Sequence, residues 1–180
     1  DYTPPMMLQD IDDKDSPTGG ADKFLAFMNQ ELIPEIDKSY RTTSSRTLAG
    51  NSRGGLFVVY AFTAEPTLFE TYYAHSPAMW RDNEEMVRQL DRFLKANPSV
   101  KSSLFLSLGS EENDKMKGAF QSTIATLQNH APATLRWRSQ FTDGARHGNN
   151  AELATPIALR WAFDSNWEPE ETAYRSAPSR

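Results

Sequence analysis

An α/β fold, with a parallel sheet of about four strands flanked by helices, is predicted by three features of this 180-residue chain. Short β-type runs alternate with longer segments of helical period, four times over, after one leading helix. Each β-type run is followed by a polar loop before the next helix, which places those loops on one edge of a parallel sheet. The length suits one domain with a sizeable core, and no internal repeat breaks the pattern.

The elements follow in order. Residues 1–20 read as an irregular loop, with Pro4-Pro5, an acidic cluster and Ser16-Pro17-Thr18-Gly19-Gly20. Ala21 to Ser39 reads as a helix, because Phe24, Leu25, Met28, Leu32 and Ile33 recur at spacings near three and four. Pro34 should kink it or open a fresh first turn. Arg46 to Gly50 is a short strand and Gly54 to Thr63 the helix after it. Phe69 to Ala74 is a second, aromatic strand, and Asn83 to Ala96 a helix that ends before Pro98. Ser103 to Leu108 is the third strand, bounded by Gly109. Asp114 to His130 is a helix with Met116, Phe120, Ile124 and Leu127 on one face. Thr134 to Thr142 alternates as a fourth strand, and Ala151 to Phe163 is the last helix. The chain is thus expected as an N-terminal loop (1–20), one α/β domain (21–164) and a polar tail (165–180).

Composition bounds the function. Net charge is −5 with no basic stripe, which argues against a nucleic-acid partner. No apolar run approaches the ~18 residues of a membrane span. No signal-peptide layout opens the chain. It begins at Asp1, from which a leader or more is expected to have been removed. The absence of cysteine excludes disulfides and thiolate metal sites and leaves the compartment undecided. A hydrophobic fraction of 38% is low for a compact α/β enzyme.

The chemistry centres on Gly50-Asn51-Ser52-Arg53-Gly54, a Gly-x-Ser-x-Gly motif between the first strand and its helix. A serine on a sharp strand-to-helix turn is held with its Oγ exposed above the sheet, as in a serine hydrolase's nucleophile elbow. Gly50 and Gly54 are expected to let strand and helix pass closely. The helix start offers backbone N–H groups, that of Arg53 first, to an oxyanion. A serine nucleophile needs a base and an acid. Of three histidines, His130 ends a helix and His75 ends the second strand. Only His147 occupies the loop after the fourth strand, where the order Ser, acid, His puts the base. The loop after the third strand offers Glu111, Glu112 and Asp114 as acid, or as charges that merely complement a helix start. Scattered carboxylates and one usable histidine give no metal-ligand spacing, and no organic cofactor is implied.

These residues resemble the esterase D / putative esterase family of α/β-hydrolases, which includes siderophore and feruloyl esterases. The resemblance rests on Glu31-Leu32-Ile33-Pro34, Tyr40-Arg41-Thr42, Ala49 to Gly55, and Ser76-Pro77 followed by Trp80. Asp1-Tyr2-Thr3-Pro4 also resembles the loop before the family's first helix. The resemblance implies Ser52 as nucleophile and His147 as base. By offset from Gly109 it selects Glu112 as acid, with Glu111 second. It also implies that only the C-terminal half of the usual α/β-hydrolase sheet is present. The elbow strand becomes an edge, and the second oxyanion donor has no evident source. Tyr2, His75, Met79 and Trp80 are placed in an aromatic substrate pocket, and Arg53 is a candidate for attracting anionic substrates. The expected partner is a small-molecule ester. The alternative is a truncated or non-catalytic module that needs a partner chain, such as a second copy, to cover its open edge.

Overall fold

The computed structural model describes residues 2–7 and 19–163. The expected polar tail, and most of the expected N-terminal loop, lie outside the described residues. Four strands form one sheet: β1 (Thr47–Asn51), β2 (Thr71–His75), β3 (Ser103–Gly109) and β4 (Arg136–Thr142). They pair in the order β1-β2-β3-β4, every pair parallel. Each crossover carries a helix: α3 (Arg53–Ala64), α4 (Arg81–Ala96) and α5 (Asp114–His130), with α6 (Asn150–Phe163) following β4. The α/β class and the element order are those expected.

The leading helix has one irregular turn. It runs as α1 (Ala21–Phe27), a π-helical turn (Met28–Leu32) and α2 (Ile33–Ser39). Pro34 sits in the first turn of α2. It has no N–H to donate and its ring crowds the preceding turn, so the hydrogen-bond register widens just before it.

Strand alternation divides the apolar side chains between two layers. Leu48, Tyr72, Leu104, Leu106 and Leu108 join Leu56, Val59, Met86, Leu90, Phe120 and Leu127 in the main core, under α3, α4 and α5. Tyr73 and Phe105 point the other way and pack on Ala158 and Trp161 of α6. Helix α3 is buried on nearly every side, from Gly55 to Thr63, which explains its unbroken apolar sequence. The amphipathic α4 packs on α3, and α5 packs on α4. Among the described residues β1 pairs only with β2, so its other edge is open. A groove of about 450 Å³ runs beside it, lined by Met28, Leu32, Ile33, Ile36, Thr47 and Phe69 among others.

A parallel sheet brings all strand C-termini to one edge. Asn51, His75, Gly109 and Thr142 end their strands there, and the loops that follow converge above them.

Candidate active site

Ser52 stands between β1 and α3 with φ 58° and ψ −117°, a left-handed-side conformation that a non-glycine residue rarely adopts. Hydrogen bonds hold it there. Its N–H donates to His75 O at 3.0 Å, and its carbonyl accepts from Leu56 N–H at 2.9 Å and Ala78 N–H at 3.1 Å. The turn requires glycine at Gly50, where a Cβ would lie 2.3 Å from Gly54 O. Gly54 needs no such exemption, because a Cβ there would meet nothing within 4 Å. The crowded second position is instead Gly55, whose Cβ would lie 2.7 Å from His75 O. The motif spacing alone did not single out Gly55. The apolar run starting one residue later, which buries the helix against β2, was the available signal. Helix α3 begins at Arg53, directly after Ser52, so the positive end of its dipole lies beside the serine.

Glu112 follows β3 and is buried at 5% exposure. Its carboxylate accepts three hydrogen bonds. Oε1 takes Ser76 Oγ–H at 2.6 Å and Gly109 N–H at 2.9 Å, and Oε2 faces His147 Nδ1 at 2.9 Å. The neighbouring acids lie elsewhere. Glu111 pairs with Arg146 at the surface, 2.7 Å apart. Asp114 opens α5 beside the Asn113 cap, whose Oδ1 accepts from Met116 N–H at 3.0 Å.

The loops bearing Glu112 and His147 are fastened together. A Cβ at Gly109 would lie 2.3 Å from Ala145 O. Glu111 N–H donates to Ala145 O at 2.9 Å, and Gly144 N–H to Ser110 Oγ at 2.8 Å. Gly144 itself has φ 65°, which suits glycine.

Ser52 and His147 line one open cavity of about 490 Å³, with Arg53, Ala78, Trp80, Arg81, Asn113, Lys115 and Met116. The described hydrogen bonds place His147 on Glu112 but include none from Ser52 Oγ to His147. Such bonds commonly tighten only when substrate is bound. Lys115 Nζ lies 3.7 Å from the Trp80 ring centroid and the Arg81 guanidinium carbon 5.5 Å from it. Burial lowers the Arg81 pKa from its ordinary value, though arginine keeps its charge. Just beyond, Asp82, Asn83 and Glu84 all have positive φ, so the first turn of α4 is left-handed and regular helix follows it. Asp82 O and Asn83 O accept from Arg88, which braces that turn.

Three expected pocket residues lie elsewhere, and only Trp80 of the four lines the cavity. His75 is 2% exposed and sits within the sheet edge, its Nδ1 2.8 Å from Ser107 Oγ and its Nε2 3.3 Å from Thr155 Oγ1. Burial lowers its pKa to about 4. It is the last residue of β2, so its side chain follows the sheet's alternation onto the α6 face rather than rising with the loop. Tyr2 packs on Phe24 and Phe57, with ring centroids 5.4 and 5.9 Å apart, outside the Ser52 cavity. Met79 is fully buried in the core. His130 meets Asp91 at 2.7 Å, far along α5. Among the described residues, no group of three or more His, Cys, Asp or Glu side chains could hold a metal ion.

Residues 2–155 match the model of the family described as "Putative esterase". The chain belongs to that family. It is 30% identical over 157 residues to the ferri-bacillibactin esterase BesA of Bacillus subtilis, covering 81% of this chain and 52% of that protein. It is 36% identical over 100 residues to a siderophore enterobactin esterase of Emericella nidulans, covering 52% of this chain and 33% of that protein. Its fold is similar to the crystal structure of an IroE-like serine hydrolase from Shewanella oneidensis, with TM-score 0.82 and 25% identity over 91% of this chain and 55% of that one. The BES protein from Bacillus cereus gives TM-score 0.77 and 26% identity, over 89% of this chain and 63% of that one. The α/β-hydrolase architecture is thereby shown. The chain spans about half the length of the first of these curated relatives and a third of the second.

Proposed function

We propose that this chain carries the catalytic apparatus of a serine esterase, with Ser52 as nucleophile, His147 as general base and Glu112 as orienting acid. The observation that carries the reading is the buried Glu112 carboxylate 2.9 Å from His147 Nδ1, in the loop facing a serine held at φ 58°. With Nδ1–H given to Glu112, His147 keeps Nε2 as the lone-pair nitrogen toward the cavity. Nε2 takes the Ser52 proton as Oγ attacks the ester carbonyl. The tetrahedral oxyanion is stabilised by backbone N–H groups at the start of α3, Arg53 first. His147 then passes its proton to the departing alkoxide, leaving an acyl-enzyme. Water, deprotonated by the same nitrogen, attacks the acyl carbon, and Ser52 Oγ leaves with the proton. Glu112 favours the imidazolium formed in each half.

The named relatives point to siderophore esters as the substrate class. The cavity is compatible with them. Trp80 offers an aromatic wall, and Arg53, Arg81 and Lys115 bring positive charge to a chain of net charge −5, which favours anionic aromatic acyl groups. A pre-steady-state burst with an activated aryl ester tests the reaction. Ser52→Ala should abolish the burst and lower turnover by roughly four powers of ten or more. Equal turnover by the two proteins would sink the assignment. A feruloyl ester and a siderophore trilactone, run beside a nitrophenyl ester series, test the substrate class.

The open edge of β1 favours a second element in this reading. The strand beside the nucleophile is completed by added chain, a second copy being the simplest source, which would also shape the oxyanion site. Sizing in solution tests it: a folded monomer that turns over esters at full rate refutes it.

A further inference from the structure

Behind Glu112 lies a chain of buried polar groups that the triad does not use. Ser76 Oγ is 2.6 Å from Glu112 Oε1. Asn150 Nδ2 is 2.9 Å from Ser76 Oγ and 3.0 Å from Ser107 Oγ. Ser107 Oγ is 2.8 Å from His75 Nδ1, and Thr155 Oγ1 is 3.3 Å from His75 Nε2. Thr155 Oγ1 also donates to Ala151 O at 2.6 Å. Ser76, Ser107 and Asn150 are each fully buried.

Both ends of this chain dictate its proton order. At one end the Glu112 carboxylate only accepts, so Ser76 must donate to it. Ser76 has a single proton, so toward Asn150 it must accept. At the other end the Thr155 proton is committed to Ala151 O. His75 Nε2 must then donate to Thr155, which leaves Nδ1 an acceptor for the Ser107 proton. Ser107, its proton spent, also must accept from Asn150. The two demands meet on one atom, and a neutral primary amide supplies two N–H donors from one nitrogen. Asn150 Oδ1 has no partner among the described residues, so the amide's orientation is set by its two donor bonds.

We propose that Asn150 is a positioning residue whose amide orders these protons, so that Ser76 always donates to Glu112 and the carboxylate keeps Oε2 for His147. The inference rests on the catalytic reading of Glu112 and His147. Asn150 follows His147 by three residues and begins α6, with its N–H on Arg146 O at 2.9 Å. One residue therefore anchors the loop of the base while orienting the acid. A hydroxyl or carboxylate at 150 cannot give two protons from one site. Of the other titratable groups, His147 is in contact with Glu112, Glu111 pairs with Arg146 at the surface, and His75 lies buried at the far end.

Nitrogen NMR of the His75 ring in the unaltered protein tests the order directly, whatever the esterase activity. The expected tautomer is Nε2–H with a bare Nδ1; Nδ1–H would overturn the inference. In Asn150→Asp, Ser107 should donate to the new carboxylate and His75 should switch to Nδ1–H, with Thr155 turning its proton from Ala151 O to the bared Nε2; an unchanged tautomer there also overturns it. For the acid, Ser76→Ala should raise the acid limb of the kcat/KM pH profile by about 0.5–1 pH unit, since a carboxylate that loses a donor binds protons, its own or that of paired His147, more tightly. Its kcat should fall roughly tenfold or more at unchanged KM. Ser107→Ala, which cuts off His75 and one acceptor of Asn150 but leaves the Asn150–Ser76–Glu112 arm in place, should leave both parameters within about twofold. An unmoved limb and kcat in Ser76→Ala would overturn the role assigned to the Glu112 arm. Should the unaltered protein show no esterase activity at all, the catalytic reading fails while the tautomer measurement still decides the proton order.

Discussion

His147 Nδ1 lies 2.9 Å from Glu112 Oε2, yet the two side chains live in opposite surroundings: that of Glu112 is 1% exposed and that of His147 is 45% exposed. The acid is fixed by two donors below, Ser76 Oγ–H and Gly109 N–H, and the base faces a substrate above. Glu112→Gln should therefore lower kcat by roughly two to four powers of ten, because an amide can present its N–H to Nδ1 and favour the wrong tautomer. Glu111→Gln, which breaks only a surface pair with Arg146, should stay within about twofold. Steady-state kinetics on the same aryl ester compare them. A larger loss in the Glu111 variant would reverse the assignment.

The elbow makes a prediction about stability. Gly50→Ala forces a Cβ to within 2.3 Å of Gly54 O, a backbone atom that cannot swing aside. Strain at such a contact places the loss at about 3 kcal/mol or more. Gly54→Ala meets no neighbour within 4 Å and should cost far less. Urea midpoints of the two variants give the comparison.

Burial of His75 sets an acid sensitivity. Its folded pKa of about 4 lies below the ordinary 6.5, so between those values the unfolded chain binds a proton that the folded one does not. Stability is unaffected by this group above pH 6.5, falls as the pH drops through that value, and stops falling near pH 4. The loss is on the order of 3 kcal/mol at 1.36 kcal/mol per unit. His75→Gln should flatten this part of the stability profile, measured by denaturant unfolding at pH 7 and pH 4.5. A slope as steep in the variant as in the unaltered protein would show that other groups carry the acid sensitivity.

Lys115 stands over the Trp80 ring at the cavity rim. Lys115→Ala should raise KM for an anionic aromatic ester about three- to tenfold, with the effect shrinking at high salt, and leave KM for a neutral ester near its original value. Equal changes for both esters would assign Lys115 to shaping Trp80 rather than to charge recognition.

Much of this was legible in the residues. The order of strands and helices followed from apolar periodicity, and the serine, the acid and the base fell in loops after the first, third and fourth strands. Those are local or ordinal features, which one chain read end to end contains. The choice between Glu111 and Glu112 was not settled by spacing alone, since both follow Gly109 by two or three residues. The structure separates them physically, because one carboxylate turns out to Arg146 and the other turns in beneath His147. The expectation for His75 failed for a related reason. A residue ending a strand can face the loop cluster or the sheet's flank, and that depends on the register of neighbours 30 to 80 positions away, such as Ser107 and Thr155.

By itself the sequence determined an alternating α/β chain with a serine elbow, since strand periodicity, helix periodicity and the Gly-x-Ser-x-Gly turn are set by neighbours within a few residues. Only the tertiary structure decided that Glu112 reaches His147, that Gly55 rather than Gly54 is crowded, and that Asn150 joins Ser76 to Ser107. Those contacts join residues as much as 74 positions apart. They exist because parallel pairing stacks the strand ends side by side, and hydrogen bonds of about 3 Å form only between groups that such stacking has already brought into line.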